Sequence, residues 1–260
     1  MDVRKLVQDL HVVKNIRLND RHFLLELVAP ETFPMLLPGQ FVQALVKDSP
    51  STFLRRPFSI HSVDYVNNTL RLLIQLKGAG THHLSLLREG EPLNLIYPLG
   101  NSFSFPQTND VLLIGGGCGV APLLFLSQFL RQQHQIHPTM LLGFKTKEEV
   151  TEIEEYSRFG NVHVITDDGT EGEKGLVVDH SLIRDGINQF KKIYACGPEP
   201  MLRAIAKIAG IHHIDCEVSL ENTMACGFGV CLCCVTATQT GNERVCVEGP
   251  VFNTRKLKWN

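Results

Sequence analysis

The chain has 260 residues, of which 43% are apolar and 20% charged, and its formal net charge is -2. A balance so close to neutral offers no electrostatic footprint for nucleic acid or an anionic membrane surface. The composition is that of a globular protein long enough for two domains and a small appendage.

Met1-Asp2-Val3-Arg4-Lys5 opens without an apolar leader, so a cytoplasmic setting is expected, in which eight cysteines stay reduced rather than form a disulfide framework. The most apolar stretch, Val111 to Leu130, has the length of a membrane span but is broken by Gly115, Gly116, Gly117, Gly119 and Pro122. It reads as a buried strand followed by a helix, with no membrane span.

Residues 1–105 read as short strands divided by turn signals, the pattern of a small antiparallel barrel. The strands are expected at Leu10 to Leu18, His22 to Val28, Phe41 to Val46, Phe58 to Val63, Leu70 to Leu76 and Leu93 to Tyr97, with a short helix at His82 to Leu87. Within them, Arg56 offers a planar fork of donors to a pyrophosphate, Phe58 a flat face for a ring system and Ser59 a hydroxyl for that ring's polar edge. Gly80 and Thr81, expected to open the short helix, add backbone donors for phosphate. Solvated arginines at a strand start are the plain competing reading.

From Asp110 strand and helix alternate, which implies a parallel sheet with crossovers over residues 106–220. Strands are expected at Val111 to Ile114, Thr139 to Phe144, Val162 to Thr166, Ile193 to Cys196 and Ile214 to Val218. Helices are expected at Ala121 to Gln133, Glu148 to Phe159, Leu176 to Gln189 and Pro200 to Ala209. Gly115-Gly116-Gly117-Cys118-Gly119-Val120-Ala121-Pro122 lies between the first strand and its helix, where glycines let a cofactor phosphate approach the backbone. Cys196-Gly197-Pro198 closes a later strand on the same sheet edge, so a nicotinamide dinucleotide could run between the two loops. Cys196 then falls beside the nicotinamide ring; a buried, inert thiol is the alternative. Asp167 and Asp168 are candidates for reading the ribose.

Residues 221–260 hold five of the eight cysteines. Cys226, Cys231 and Cys234 have the C-x4-C-x2-C spacing of plant-type 2Fe-2S sites, and Cys246 follows as a fourth thiolate. The expected hairpin pairs Val235 to Ala237 with Arg244 to Val247 around Gln239-Thr240-Gly241-Asn242. Cys233 is extra and expected to point away. No histidine lies between Cys226 and Cys246, against a Rieske site, and zinc modules usually take their ligands as two close couples. A zinc-stapled adaptor with purely structural glycine turns is the rival of a different class.

Taken together, these motifs resemble the ferredoxin-NADP reductase superfamily. Arg56-Pro57-Phe58-Ser59 is similar to its flavin motif, Gly115 to Pro122 to its glycine motif and Cys196-Gly197-Pro198 to its C-G-P motif. The run from Cys216-Glu217-Val218-Ser219-Leu220-Glu221 to Met224-Ala225-Cys226-Gly227-Phe228-Gly229-Val230-Cys231 resembles the electron-transfer subunits of class 1B dihydroorotate dehydrogenases. That resemblance implies FAD contacts at Arg56, Pro57, Phe58, Ser59, Leu73, Ile74, Gln75, Gly80 and Thr81, and NAD contacts at Gly115, Gly116, Gly117, Gly119, Gly197 and Pro198. It implies cluster ligands at Cys226, Cys231, Cys234 and Cys246; Ser59 and Cys196 are expected to position the flavin and the nicotinamide rather than undergo chemistry themselves. It further implies a separate FMN-bearing subunit that oxidises dihydroorotate, in a heterotetramer of two plus two chains. Electrons would pass from it through the 2Fe-2S cluster and FAD to NAD+. A diaphorase subunit of a hydrogenase or sulfite reductase is the rival of the same build, and Phe228, Val230 and Leu232 are expected at the partner interface.

Overall fold

The computed structural model describes residues 4–47, 49 and 51–259. The first part contains β1 (Leu6–Arg17), β2 (His22–Val28), β3 (Phe41–Ala44), β4 (Arg56–Ser59), β5 (Ser62–Asp64), β6 (Thr69–Gln75), α1 (Ala79–Leu84) and β7 (Pro92–Leu99). Its strands form one antiparallel sheet in the order β4-β3-β7-β1-β2-β6-β5. β4 also approaches β6, so the sheet curls into a half-barrel around Leu25, Leu27, Val42, Leu70, Leu72 and Leu95. β2 is apolar on both faces because alternate side chains serve two cores: Phe23, Leu25 and Leu27 point into the barrel, Leu24 into the next domain.

The second part runs β8 (Val111–Gly116), α2 (Ala121–His134), β9 (Thr139–Phe144), α3 (Ile153–Ser157), β10 (Asn161–Thr166), β11 (Glu173–Lys174), α4 (Ser181–Arg184), β12 (Lys192–Cys196), α5 (Glu199–Ile211) and β13 (Asp215–Ser219). The third adds a hairpin, β14 (Val235–Thr238) and β15 (Gly241–Arg244), and then β16 (Val251–Asn253). The second sheet has the order β11-β10-β9-β8-β12-β13-β16, parallel except for β16. The last segment therefore returns to give an edge strand to the middle domain. Among the described residues no helix is long and apolar enough to cross a membrane.

Several local expectations are corrected. The helix expected at Glu148 to Phe159 shrinks to a turn at Lys147–Glu149 and the short α3, because Glu152 takes the left-handed conformation (φ 57°) between them. The helix expected at Leu176 to Gln189 breaks into three single turns, since His180 is extended and caps α4 through Nδ1, which accepts from the Leu182 N–H at 3.1 Å. Phe58 to Val63 is two strands rather than one, divided at Ile60-His61. Helix α1 opens at Ala79, ahead of Gly80. The hairpin turns in two residues, Gln239-Thr240, closed by the Thr238 hydroxyl donating to the Gly241 carbonyl at 2.8 Å. Val235 therefore pairs with Arg244 and Ala237 with Asn242, leaving Cys246 beyond the ladder.

The three parts are fastened by buried polar contacts. His61, fully buried between β4 and β5, has Nδ1 2.8 Å from the Ala121 carbonyl oxygen and Nε2 3.0 Å from Glu152 Oε2. Asn101, just after β7, donates to the carbonyls of Glu248 and Val251 and accepts from the Val251 N–H, all within 2.9 Å.

Candidate cofactor sites

The cysteine loop is shaped by left-handed backbone at Gly227 (φ 79°), Gly229 (φ 93°) and Leu232 (φ 58°), which turns successive amides inward. Burial raises the Cys226 thiol, but the N–H groups of Cys231, Phe228 and Val230 point at it and outweigh burial, drawing it down to about 6. Such amide donors favour thiolate, the form that binds iron. Cys246 behaves oppositely: burial, then its neighbour Cys234, push it up to about 12. The Cys246 N–H also donates to Cys234 Sγ at 3.4 Å.

The thiols thus meet as two couples, Cys226 with Cys231 and Cys234 with Cys246, with Cys226 and Cys246 close enough to interact. Among the described residues no three His, Cys, Asp or Glu side chains converge closely enough to hold one metal ion. Two interacting couples of cysteine thiols are the donor type that iron-sulfur groups take. The donor set fits the two-iron group. Cys234 and Cys246 are buried, while Cys231 and the extra Cys233 are exposed.

The flavin-motif residues form β4, in which all four are half-buried. Arg56 and α1 come together: a Cβ on Gly80 would lie 3.4 Å from Arg56 Nε. The Thr81 hydroxyl is engaged within its own turn, accepting from the N–H groups of Lys77 and Gly78. On β6, Leu73 packs toward the second domain and Ile74 into the barrel, so side-chain contact with a ring system is closed to Ile74. The backbone is another matter: β5 pairs only with Thr69 to Arg71, leaving Leu73 to Gln75 without a strand partner on that side. Apart from the Cys118 thiol, which meets the Leu73 carbonyl, nothing on a neighbouring strand among the described residues takes the N–H and C=O groups on that side, and they can meet the polar edge of a flavin.

The two glycine loops close β8 and β12 at the same sheet edge, where Cys196 pairs with Gly115 and with Ser219. They touch at Gly119, which closes the gap between them there. Burial, reinforced by Glu221, holds the Cys196 thiol far above its ordinary range, and the same pair of causes pushes Cys118 up to about 12. Asp168 is consumed in its own turn, its Oδ1 accepting from the N–H and hydroxyl of Thr170. Asp167 follows β10 directly at the sheet edge.

Two residues at this junction escaped sequence reasoning. Cys118 Sγ lies 4.0 Å from the Leu73 carbonyl oxygen, on the flavin-side strand. Glu221, exposed at its outer side, lines a 360 Å³ cavity with Gly197, Pro198, Arg203 and Trp259; partial desolvation there raises its carboxyl and Lys77 opposes. A cysteine set among glycines and a carboxylate two residues past a strand carry no pattern of their own.

A half-barrel followed by a parallel sheet with two glycine loops, plus a thiol-rich loop packed on both, is the architecture of ferredoxin-NADP reductase-like oxidoreductases. The structure of an NADH-dependent reduced ferredoxin-NADP oxidoreductase superposes with TM-score 0.84 at 27% identity, covering all of this chain and 92% of that one. A ferredoxin reductase of carbazole 1,9a-dioxygenase shares the fold at TM-score 0.70 and 19% identity over 82% of this chain and 68% of its own. The model of an oxidoreductase NAD-binding domain matches residues 113–207, and that of the iron-sulfur cluster binding domain of dihydroorotate dehydrogenase B matches residues 221–258. The Caldanaerobacter subterraneus dihydroorotate dehydrogenase B (NAD+) electron-transfer subunit is 38% identical over 83% of this chain and 84% of its own. The protein of the same description from Fusobacterium nucleatum is 34% identical over 95% and 96%. The chain belongs to this family of dihydroorotate dehydrogenase B electron-transfer subunits.

Proposed function

We propose that this chain conducts electrons from a dihydroorotate-oxidising partner to NAD+, in pyrimidine biosynthesis, with the cluster loop on the partner side and the glycine loops on the nicotinamide side. One observation carries the reading: Gly227, next to Cys226 of the first thiol couple, packs against Gln43 of β3, the strand paired to the flavin-motif strand β4. When bound, a flavin supplies the exchange between hydride and single electrons that neither a nicotinamide nor a cluster performs alone.

The chain's own residues set that geometry. Arg56, beside Gly80, neutralises a pyrophosphate; Phe58, on the same face of β4 as Arg56, gives the ring a flat bed, with Pro57 beside it on the opposite face; and the open backbone of Leu73 to Gln75 reads its polar edge. Ser59 holds the ring's reactive side and Cys196 supports the nicotinamide. The buried Cys196 thiol stays protonated and acts by position. Gly115, Gly116, Gly117, Gly119, Gly197 and Pro198 form the rim across which the dinucleotide lies. Cys226, Cys231, Cys234 and Cys246 ligate the cluster.

The partner is an FMN-bearing catalytic subunit, and the assembly is two plus two. Docking falls on Phe228, Val230 and Leu232, which are 43%, 74% and 62% exposed around the cluster loop. Thiolate ligands suit the reducing cytoplasm. The test is reconstitution: this chain, added to an FMN-containing dihydroorotate dehydrogenase subunit, should make dihydroorotate-dependent NADH. Productive pairing only with a hydrogenase or sulfite reductase subunit would instead assign it as the diaphorase of that enzyme. A colourless, zinc-loaded chain would assign the adaptor.

A further inference from the structure

Gln43 is fully buried on β3, yet neither Nε2 nor Oε1 of its carboxamide has a hydrogen-bond partner among the described residues. An amide left so costs about 1–3 kcal/mol, and buried polar groups are seldom abandoned without a reason. The backbone at this position is well anchored, its carbonyl accepting from Arg55 Nη1 at 3.2 Å. Strand alternation puts the side chain on the same face as Phe41, which packs in the core containing Cys234, Val245 and Cys246. Directly across the ladder lies Pro57 of the flavin motif. At its other end the carboxamide meets Gly227, the residue after Cys226: a Cβ there would lie 2.7 Å from Gln43 Cγ and 2.8 Å from Nε2. The unpartnered amide is therefore the polar group lodged between the flavin-motif strand and the first thiol couple.

We propose that, when the cluster is bound, Gln43 donates a hydrogen bond from Nε2 into its sulfur shell on the Gly227 side, raising its reduction potential. The inference rests on the cluster reading above and names a potential-setting residue outside the cysteine loop. Sulfur gains negative charge when the cluster is reduced, so an N–H donor stabilises the reduced form more than the oxidised one. A neutral amide does this without the desolvation cost of a buried cation.

The experiment compares the full chain with Gln43→Met and Gln43→Glu, purified anaerobically and matched for circular dichroism, FAD and iron. In an EPR-monitored redox titration, Gln43→Met should shift the oxidised-to-reduced equilibrium about tenfold toward the oxidised cluster, which is about 59 mV for a one-electron couple, and Gln43→Glu, which also lacks the donor and adds negative charge, at least as far. Pulsed EPR of the reduced wild-type chain carrying side-chain 15N-glutamine should show a changed nitrogen coupling, a readout that survives even if both variants fail to load. An unshifted potential in a loaded Gln43→Met, a shift confined to the flavin, or no effect of the label would overturn the proposal. Absence of iron from the wild type would overturn the underlying cluster reading instead.

Discussion

Gly119 rests directly on Gly197: a Cβ at 119 would come within 2.5 Å of the Gly197 Cα and N and 2.4 Å of the Cys196 carbonyl oxygen. The crossover loop after β8 and the loop after β12 are thereby locked as one surface. Gly119→Ala should force them apart at about 1–3 kcal/mol. Flavin reduction by NADH should slow at least tenfold in stopped-flow while FAD stays bound, and an unchanged rate would remove this contact from the nicotinamide site.

Ser59 lies across the ladder from Phe41 on the face shared with Gln43 and Pro57. Ser59→Ala deletes one hydroxyl at the proposed flavin site, and a lost hydrogen bond of about 1.4 kcal/mol corresponds to roughly tenfold in rate. NADH should reduce the flavin about that much more slowly with FAD stoichiometry intact.

The Glu152 carboxylate joins the domains through His61. Burial would raise its pKa, but the hydrogen bond and charge of His61, helped by Arg71, prevail and hold it below the ordinary 4.5. A carboxyl lowered in the folded state contributes stability above the unfolded value, and loses it as pH falls through the folded one. Glu152→Gln should therefore cost about 1–3 kcal/mol at pH 7 and flatten the decline of Tm below pH 4.5, checked by thermal unfolding at pH 3.5 to 7.

Phe228, Val230 and Leu232 expose apolar surface around a loop that, in the proposed function, takes electrons from another chain. Phe228→Glu should abolish co-elution with the FMN subunit while leaving iron content unchanged, a loss of at least ~2 kcal/mol if Phe228 is an interface anchor. Intact co-elution would move the interface elsewhere.

Much of this organisation was legible because it is encoded locally. The apolar runs of β2, β8 and β12, the glycine loops that follow β8 and β12, and the cysteine spacing each carry their own signal within a few residues. What failed depended on single backbone decisions: Glu152 at positive φ cuts one helix, His180 and Gly186 cut another, and a two-residue turn moves the hairpin register. β16 was invisible because three residues after Pro250 become a strand only against β13. Gln43 was illegible for the same reason, since a glutamine in a strand is unremarkable until Gly227 closes over it.

The most direct test of the central claim is NADH reduction of the anaerobically purified chain, followed by EPR alongside iron, sulfide and flavin analysis. The account predicts two irons, two sulfides and one FAD per chain, and a spin-half cluster signal that grows as NADH is added. Zinc in place of iron, or a cluster that NADH cannot reduce while the flavin is bleached, would contradict it.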